Sequence, residues 1–408
     1  MAVRKGVRAH PGFAEARADR GEAEAQRNEA RALALPTIDL NLTYFRVIDR
    51  AFSNDPENIL ERSRPRERTD AQVQITAPAF DFGRTFARIN SAEARLAASD
   101  ANIEDYTLRL AQSSIASWYQ VFSYRALVRL GEAFVANQDE LHAALKKRVD
   151  QGLSAQADLL IYDSYRAAAQ AQLADFRRQL NASEAQYSVY IGEAAPENLG
   201  RAPPARQVGM TSDALLTTID TLPAVVRARR LTRAARYDTQ AAKAQLLPSV
   251  SLGMVAGRYG VFETDRDYDI RASVTLSQRL FGGGKQRADQ AQAREQRAQA
   301  TYDRVHLEAE RDLTIAASDV ASLEQASGAL RDNYFASRQA RDALFERFRL
   351  SRGTLNDVLT AQTNYYNVAV RYVTTISELD IARYVLLART GQLLSALGID
   401  SAGDRLND

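Results

Sequence analysis

Four segments of the chain alternate between apolar and polar residues. In residues 37–44, Ile38, Leu40, Leu42 and Tyr44 fall on one side, and Thr37, Asp39, Asn41 and Thr43 on the other. In residues 70–77, Ala71, Val73, Ile75 and Ala77 form the apolar side. Val250, Leu252, Met254 and Ala256 alternate with Ser249, Ser251 and Gly253, and Ile270, Ala272, Val274 and Leu276 with Asp269, Arg271, Ser273 and Thr275. A period of two over this length predicts four strands of about ten residues. The residues between the first pair, 49–69 with Pro56 and Pro65, read as a polar loop.

The rest of the chain has a helical period. Residues 11–34 are rich in Ala, Glu and Arg, which are strong helix formers. Residues 84–150 contain no Pro and only Gly131, and residues 285–350 only Gly328. Each stretch predicts a rod about 100 Å long. Leu127, Leu130, Phe134, Leu141, Leu145 and Val149 mark one apolar stripe, and Leu330, Tyr334, Leu344 and Phe348 another. Such narrow stripes suit coiled-coil seams better than a wide globular face. Breaks at Gly152 and at 351–353 turn each rod into a returning helix, 155–190 and 356–397.

The order helix, strand, loop, strand, long helical hairpin occurs twice. Pro11 and Leu35-Pro36 are answered by Pro223 and Leu247-Pro248 at an offset of 212. Phe80-Asp81-Phe82-Gly83-Arg84 is answered by Phe281-Gly282-Gly283-Gly284-Lys285 at 201, so only the loop between the paired strands has shortened. That period is too long for a solenoid and marks a duplicated half. Residues 1–191 form the first repeat, 192–222 a Pro- and Gly-rich connector with a short helix expected at 212–219, and 223–399 the second repeat. A disordered tail is expected over 400–408.

Composition narrows the classes. Lys+Arg of 53 against Asp+Glu of 51 leaves a net charge of +2, which argues against a nucleic-acid surface. There is no cysteine, hence no disulfide, thiolate metal site or lipidatable Cys. No run approaches the roughly 18 apolar residues of a transmembrane helix. The first residues are basic with no apolar run behind them, so no signal peptide is visible. An exported protein would carry its signal upstream, and a cytoplasmic protein stays open as the alternative.

The strands point towards lipid. Ten residues match the roughly 9–11 that a tilted strand needs to cross a bilayer. Their polar partners are small or hydroxylated, as on a wet lumen face. Tyr44, Phe45, Phe52, Phe80, Phe82, Tyr259, Phe262, Tyr268 and Phe281 gather at the strand ends, where an interfacial girdle would lie. Any one strand alone is better read as part of an ordinary sheet on a core; the four together favour the membrane. Four strands cannot close a barrel, because an open edge in hydrocarbon leaves backbone groups unsatisfied at several kcal/mol apiece. Three copies would supply twelve.

The motifs then carry a resemblance. A helix ends in Leu-Pro before a strand twice. The strand exits read Pro78-Ala-Phe-Asp-Phe-Gly-Arg84 and Arg279-Leu-Phe-Gly-Gly-Gly-Lys285. The hairpin turns read Gly152 followed by Asp158-Leu-Leu, and Ser351 followed by Asp357-Val-Leu-Thr-Ala361-Gln362. In this order the chain resembles the TolC-type outer-membrane efflux proteins from about Pro11 to Leu397.

The resemblance implies an α+β membrane protein. It would be a homotrimer with a twelve-stranded barrel in the outer membrane and long helical hairpins forming a periplasmic α-barrel. It implies a passive duct that docks through a periplasmic adaptor onto an inner-membrane pump of the ABC or RND type. It also implies a gate at the second hairpin tip, where the family's pore-lining aspartate falls on Asp357. The family's second aspartate falls on Thr360 and its tip tyrosine on Phe348, both departures from the pattern. Arg352 and Arg349 are donors for bonds that would close the tip, and Gly152 and Asp158 mark the first-hairpin tip. Asp357 and Asp158 read equally as helix N-caps, a role favoured for Asp158.

Other chemistry finds no support. Gly282-Gly-Gly-Lys285 fails as a phosphate loop, since Arg279 replaces the first glycine and Gln286 the Ser/Thr. His10, His142 and His306 lack metal-ligand spacing, and no nucleophile motif appears. The expectation is no catalysis, no cofactor and no metal. A soluble periplasmic coiled-coil scaffold is the alternative to the duct.

Overall fold

The computed structural model describes residues 2–51, 57, 59–202, 218–263, 267–350 and 352–399. The short helix expected at 212–219 and the tail 400–408 fall mainly or wholly outside these residues. So do Phe52, Pro56 and Ser351.

The element order is α1 (Ala2–Ala9), α2 (Pro11–Ala32), β1 (Thr37–Arg46), α3 (Ile59–Ser63), β2 (Glu67–Phe80), α4 (Arg84–Asp150) and α5 (Gln156–Ile191). After a 3-10 turn, Ile219–Thr221, come α6 (Pro223–Ala244), β3 (Ser249–Arg258), β4 (Tyr268–Ser277), α7 (Gly284–Arg349), α8 (Leu355–Arg389) and α9 (Leu393–Ala396). Pro11 and Pro223 each open a helix, where a missing N–H costs nothing. No described helix is long and apolar enough to cross a membrane.

The chain forms two compact units, each drawing on both halves of the sequence. One holds residues 1–18, 101–226 and 304–408, the other 19–100 and 227–303.

The second unit contains one antiparallel sheet in the order β1-β2-β3-β4. Its register sets Ile38 beside Ile75, Met254 and Ala272, and Leu40 beside Val73, Ala256 and Ile270. The opposite face carries Thr37, Thr76, Gly253 and Ser273 in one row and Asn41, Gln72, Gly257 and Asp269 in another. A slip of one residue would invert every side chain, so the shared pattern fixes the register. The register shifts between Pro78 and Phe80, a bulge that accommodates a proline with no N–H for the ladder.

Besides α1 and α3, neither of which the pattern predicts (α3 lies within the expected loop 49–69), two elements differ from expectation. β2 begins at Glu67 rather than Asp70, because Thr69, Arg68 and Glu67 still pair with Tyr44, Phe45 and Arg46. Polarity made them look like loop, but Glu263 accepts from the Thr69 amide at 3.2 Å and its hydroxyl at 2.9 Å and holds them in place. The return helix does not continue to Leu397: α8 ends at Arg389, Gly391 takes a left-handed φ of 72°, and α9 follows.

The first unit packs α4 against α5 and α8. Leu127, Phe176 and Tyr366 form one cluster, Val121, Tyr187, Ile191 and Leu199 another, and Ala111, Ile115, Tyr119, Leu387 and Ala388 a third. The connector is fastened to this frame. Trp118 Nε1 donates to the Gly200 carbonyl at 3.1 Å, and Arg201 grips the fully buried Asp380 through Nε and a terminal nitrogen at 2.6 and 2.9 Å.

Candidate functional site

Two places are candidates for function: the sheet and the hairpin tips. On the sheet, the apolar face is uncovered. Leu40 is 77% exposed, Val274 72% and Leu276 70%, with Ile38, Leu42 and Ile270 similarly bare. A face of this kind rarely stays wet, and a monomer rarely exposes so continuous a patch. Beside it Phe80 and Phe82 stack edge to face at 4.7 Å, at the strand exit. β1 and β4 are both unpaired edges of the four-stranded sheet.

At the first tip, α4 ends in a left-handed Gly152 with φ of 70°. The Gly152 amide donates to the Val149 carbonyl at 2.9 Å and the Leu153 amide to the Arg148 carbonyl at 2.9 Å, a Schellman turn. The second tip repeats the longer bond, with the Arg352 amide on the Arg347 carbonyl at 2.9 Å.

Both tip aspartates stand three residues past the N-cap instead of at it. Thr354 caps α8: its hydroxyl accepts from the Asp357 amide at 3.2 Å, and the Asp357 carboxylate accepts from the Thr354 amide at 3.3 Å. In the first hairpin the cap position is Ala155, whose side chain has no oxygen. Only the carboxylate half remains, with the Ala155 amide on Asp158 at 3.2 Å. The bonds from Thr354, side chain and then backbone, hold the Asp357 carboxyl below the usual carboxylate range. Asp357 and Thr360 are both exposed.

Phe348 packs into the core between the hairpins. It is 0% exposed, in a cluster with Leu141, Leu145, Tyr162, Leu355, Val358 and Leu359 that joins the two hairpins. Tyr162 donates to the Gln138 carbonyl, and burial pushes its phenol up to about 12. Arg352 is exposed with no side-chain partner among the described residues, whereas Arg349 pairs with Glu346 of its own helix at 3.1 Å. Sequence reasoning missed the buried Gln138–Gln362 bond of 3.1 Å, which links α4 to α8 beneath the tips. Gln362 closes a quoted motif, but nothing local pointed to its partner.

No group of three or more His, Cys, Asp or Glu residues is placed to hold a metal among the described residues. His10 instead accepts from the Gly12 amide at 3.2 Å through Nδ1, with the Tyr106 hydroxyl 3.0 Å from the same atom.

An uncovered one-faced sheet and two helical hairpins joined at their tips are the parts of an outer-membrane channel that continues into the periplasm. The chain belongs to the outer membrane efflux protein family, whose pattern it matches over residues 7–193 and 219–392. It is 26% identical over 337 residues to the outer membrane efflux protein BepC of Brucella suis biovar 1 (strain 1330), covering 81% of this chain and 74% of BepC. The outer-membrane channel OprN superposes with a TM-score of 0.85 at 19% identity, over 96% of this chain and 89% of OprN. VceC of Vibrio cholerae, an outer membrane protein, gives 0.81 at 19%, over 98% and 96%. At that identity these likenesses show the fold. The chain is thus a channel of the outer membrane serving tripartite export, and the soluble scaffold is disfavoured.

Proposed function

We propose that three copies join edge to edge, β1 of one to β4 of the next, into a twelve-stranded barrel. The one-faced apolar sheet with two open edges carries this reading, since hydrocarbon leaves no water for unpaired amides. The duct is passive and catalyses no reaction. It receives cargo through a periplasmic adaptor from an ABC or RND-type inner-membrane pump. Small-molecule efflux and type I protein secretion both fit, because a wide wet duct leaves selection to the pump. In this reading Asp357 rings the narrow periplasmic end, with Thr360 one turn on and Arg352 facing the neighbouring copy. Gly152 and Asp158 set the first-hairpin tip, while Phe348 supports the ring from behind. The repeats, 1–191 and 223–399, then supply alternating staves of one wall.

The absence of cysteine makes the test clean. Cysteines placed at Asn41 and, in a series, along residues 269–275 should yield disulfide-linked species of two and three chains and none larger. Crosslinks confined within one chain, or ladders beyond three, would contradict a closed ring.

A further inference from the structure

The two halves have diverged in charge at one place. α2 in the first half keeps its cations neutralised. Arg20 pairs with Glu24 at 2.9 Å and Asp100 at 2.8 Å, Arg27 with Glu24 at 3.0 Å, and Arg31 with Glu93 at 2.6 Å. At the matching offsets in the second half, Arg236 stands for Glu24, Arg294 for Glu93 and Thr301 for Asp100. The acids of that network are gone, yet α6 carries Arg227, Arg229, Arg230, Arg233, Arg236 and Lys243 against the single carboxylate of Asp238. Asp238 is already taken by Ser91 at 2.6 Å and Arg95 at 2.5 Å.

Arg229, Arg233, Arg236 and Lys243 recur at helical spacing along one face of α6, spanning roughly 21 Å. All four are exposed and have no ion-pair partner among the described residues. They form one bank of a groove of about 550 Å³ between α6 and α7, whose other bank presents Gln292, Gln296 and Glu295. Like charges at three- and four-residue spacing oppose the helix that bears them, so nothing in the folding of α6 accounts for them.

We propose that this groove binds a linear acidic glycan. The four cations match carboxylate or sulfate groups repeated along a chain, and a compact ion would reach only one or two of them. The amides opposite can both donate to and accept from sugar hydroxyls. No aromatic ring lines the groove, which removes the stacking that a nucleic-acid strand would use. This assignment goes beyond the duct reading and does not depend on conductance.

The test is fluorescence anisotropy on the full-length protein in detergent, with labelled heparin and oligogalacturonate fragments as probes. Both should bind, more weakly as salt rises, while a neutral dextran fragment should not. Arg229→Gln/Arg233→Gln/Arg236→Gln should weaken binding at least tenfold. Arg177→Gln/Arg178→Gln/Arg331→Gln, an equal loss of charge elsewhere, should change it less than twofold. Should the triple variant not fold, Arg233→Gln alone should weaken binding about threefold. Wild-type affinity in the groove variant, equal loss in the control, or binding of inorganic polyphosphate but neither glycan would each overturn the proposal.

Discussion

The guanidinium of Arg148, near the end of α4, lies 4.4 Å from the ring centre of Phe348 on α7 and donates to that residue's carbonyl at 2.9 Å. One side chain thus covers a buried ring and satisfies a carbonyl in the last turn of a helix, which has no partner of its own. It ties the tip of the first hairpin to the tip of the second. Arg148→Ala should loosen the tips by about 2 kcal/mol. Faster hydrogen exchange across residues 141–150 and 344–359, with larger conductance in planar bilayers, would register it. Arg148→Lys should recover only part, since an ammonium lacks the planar fork.

The Asp357 carboxyl titrates below its ordinary value of 3.8, because Thr354 bonds its charged form. The sign follows from linkage. A depressed folded pKa gives stability that is present above the unfolded value and lost as pH falls through the folded one. Block of the pore by a trivalent cation at Asp357 should therefore fade at a lower pH than an ordinary carboxylate would give. Asp357→Ala should abolish it at every pH. Thr354→Ala should shift its midpoint upward and cost about 1 kcal/mol of helix stability. Block unchanged in Asp357→Ala would remove this residue from the gate.

Asp380 is fully buried and held by Arg201, with Arg383 a further 3.7 Å away. Arg201→Ala should cost about 3 kcal/mol, because a buried carboxylate loses its main partner. Arg201→Met/Asp380→Leu should restore most of that loss. Thermal unfolding of both variants decides, and equal melting of the single variant and wild type would show that the clasp carries no stability.

On the sheet, charge should be tolerated on one face only. Leu40→Arg and Val274→Arg place a cation on the bare apolar face, at a cost of roughly 2–4 kcal/mol near the bilayer midplane. Asn41→Arg and Thr275→Arg, one position along each strand, should assemble normally. The fraction of folded protein recovered in outer membranes measures the contrast.

The elements that sequence pattern revealed are those whose side chains announce their own period. β1, β3 and β4 alternate cleanly, and α4 and α7 run without proline to within a residue of their ends. α1 was invisible because its reason is distant: Gly6 lies so close to Tyr190 that an added Cβ would collide with its carbonyl oxygen. Likewise Arg201 and Asp380 are 179 positions apart, and no local pattern pairs them. At the tips, the Asp357 position was legible from its motif. That Thr354 is the cap and that Phe348 faces the hairpin core depended on the turn at 351–353 and on packing between helices.

The most direct measurement is the mass of the purified protein by light scattering, with and without detergent. Three chains per particle are expected in detergent, and aggregation when it is removed, as the bare faces of the ribbons meet water. A stable single chain in plain buffer would contradict the trimeric barrel.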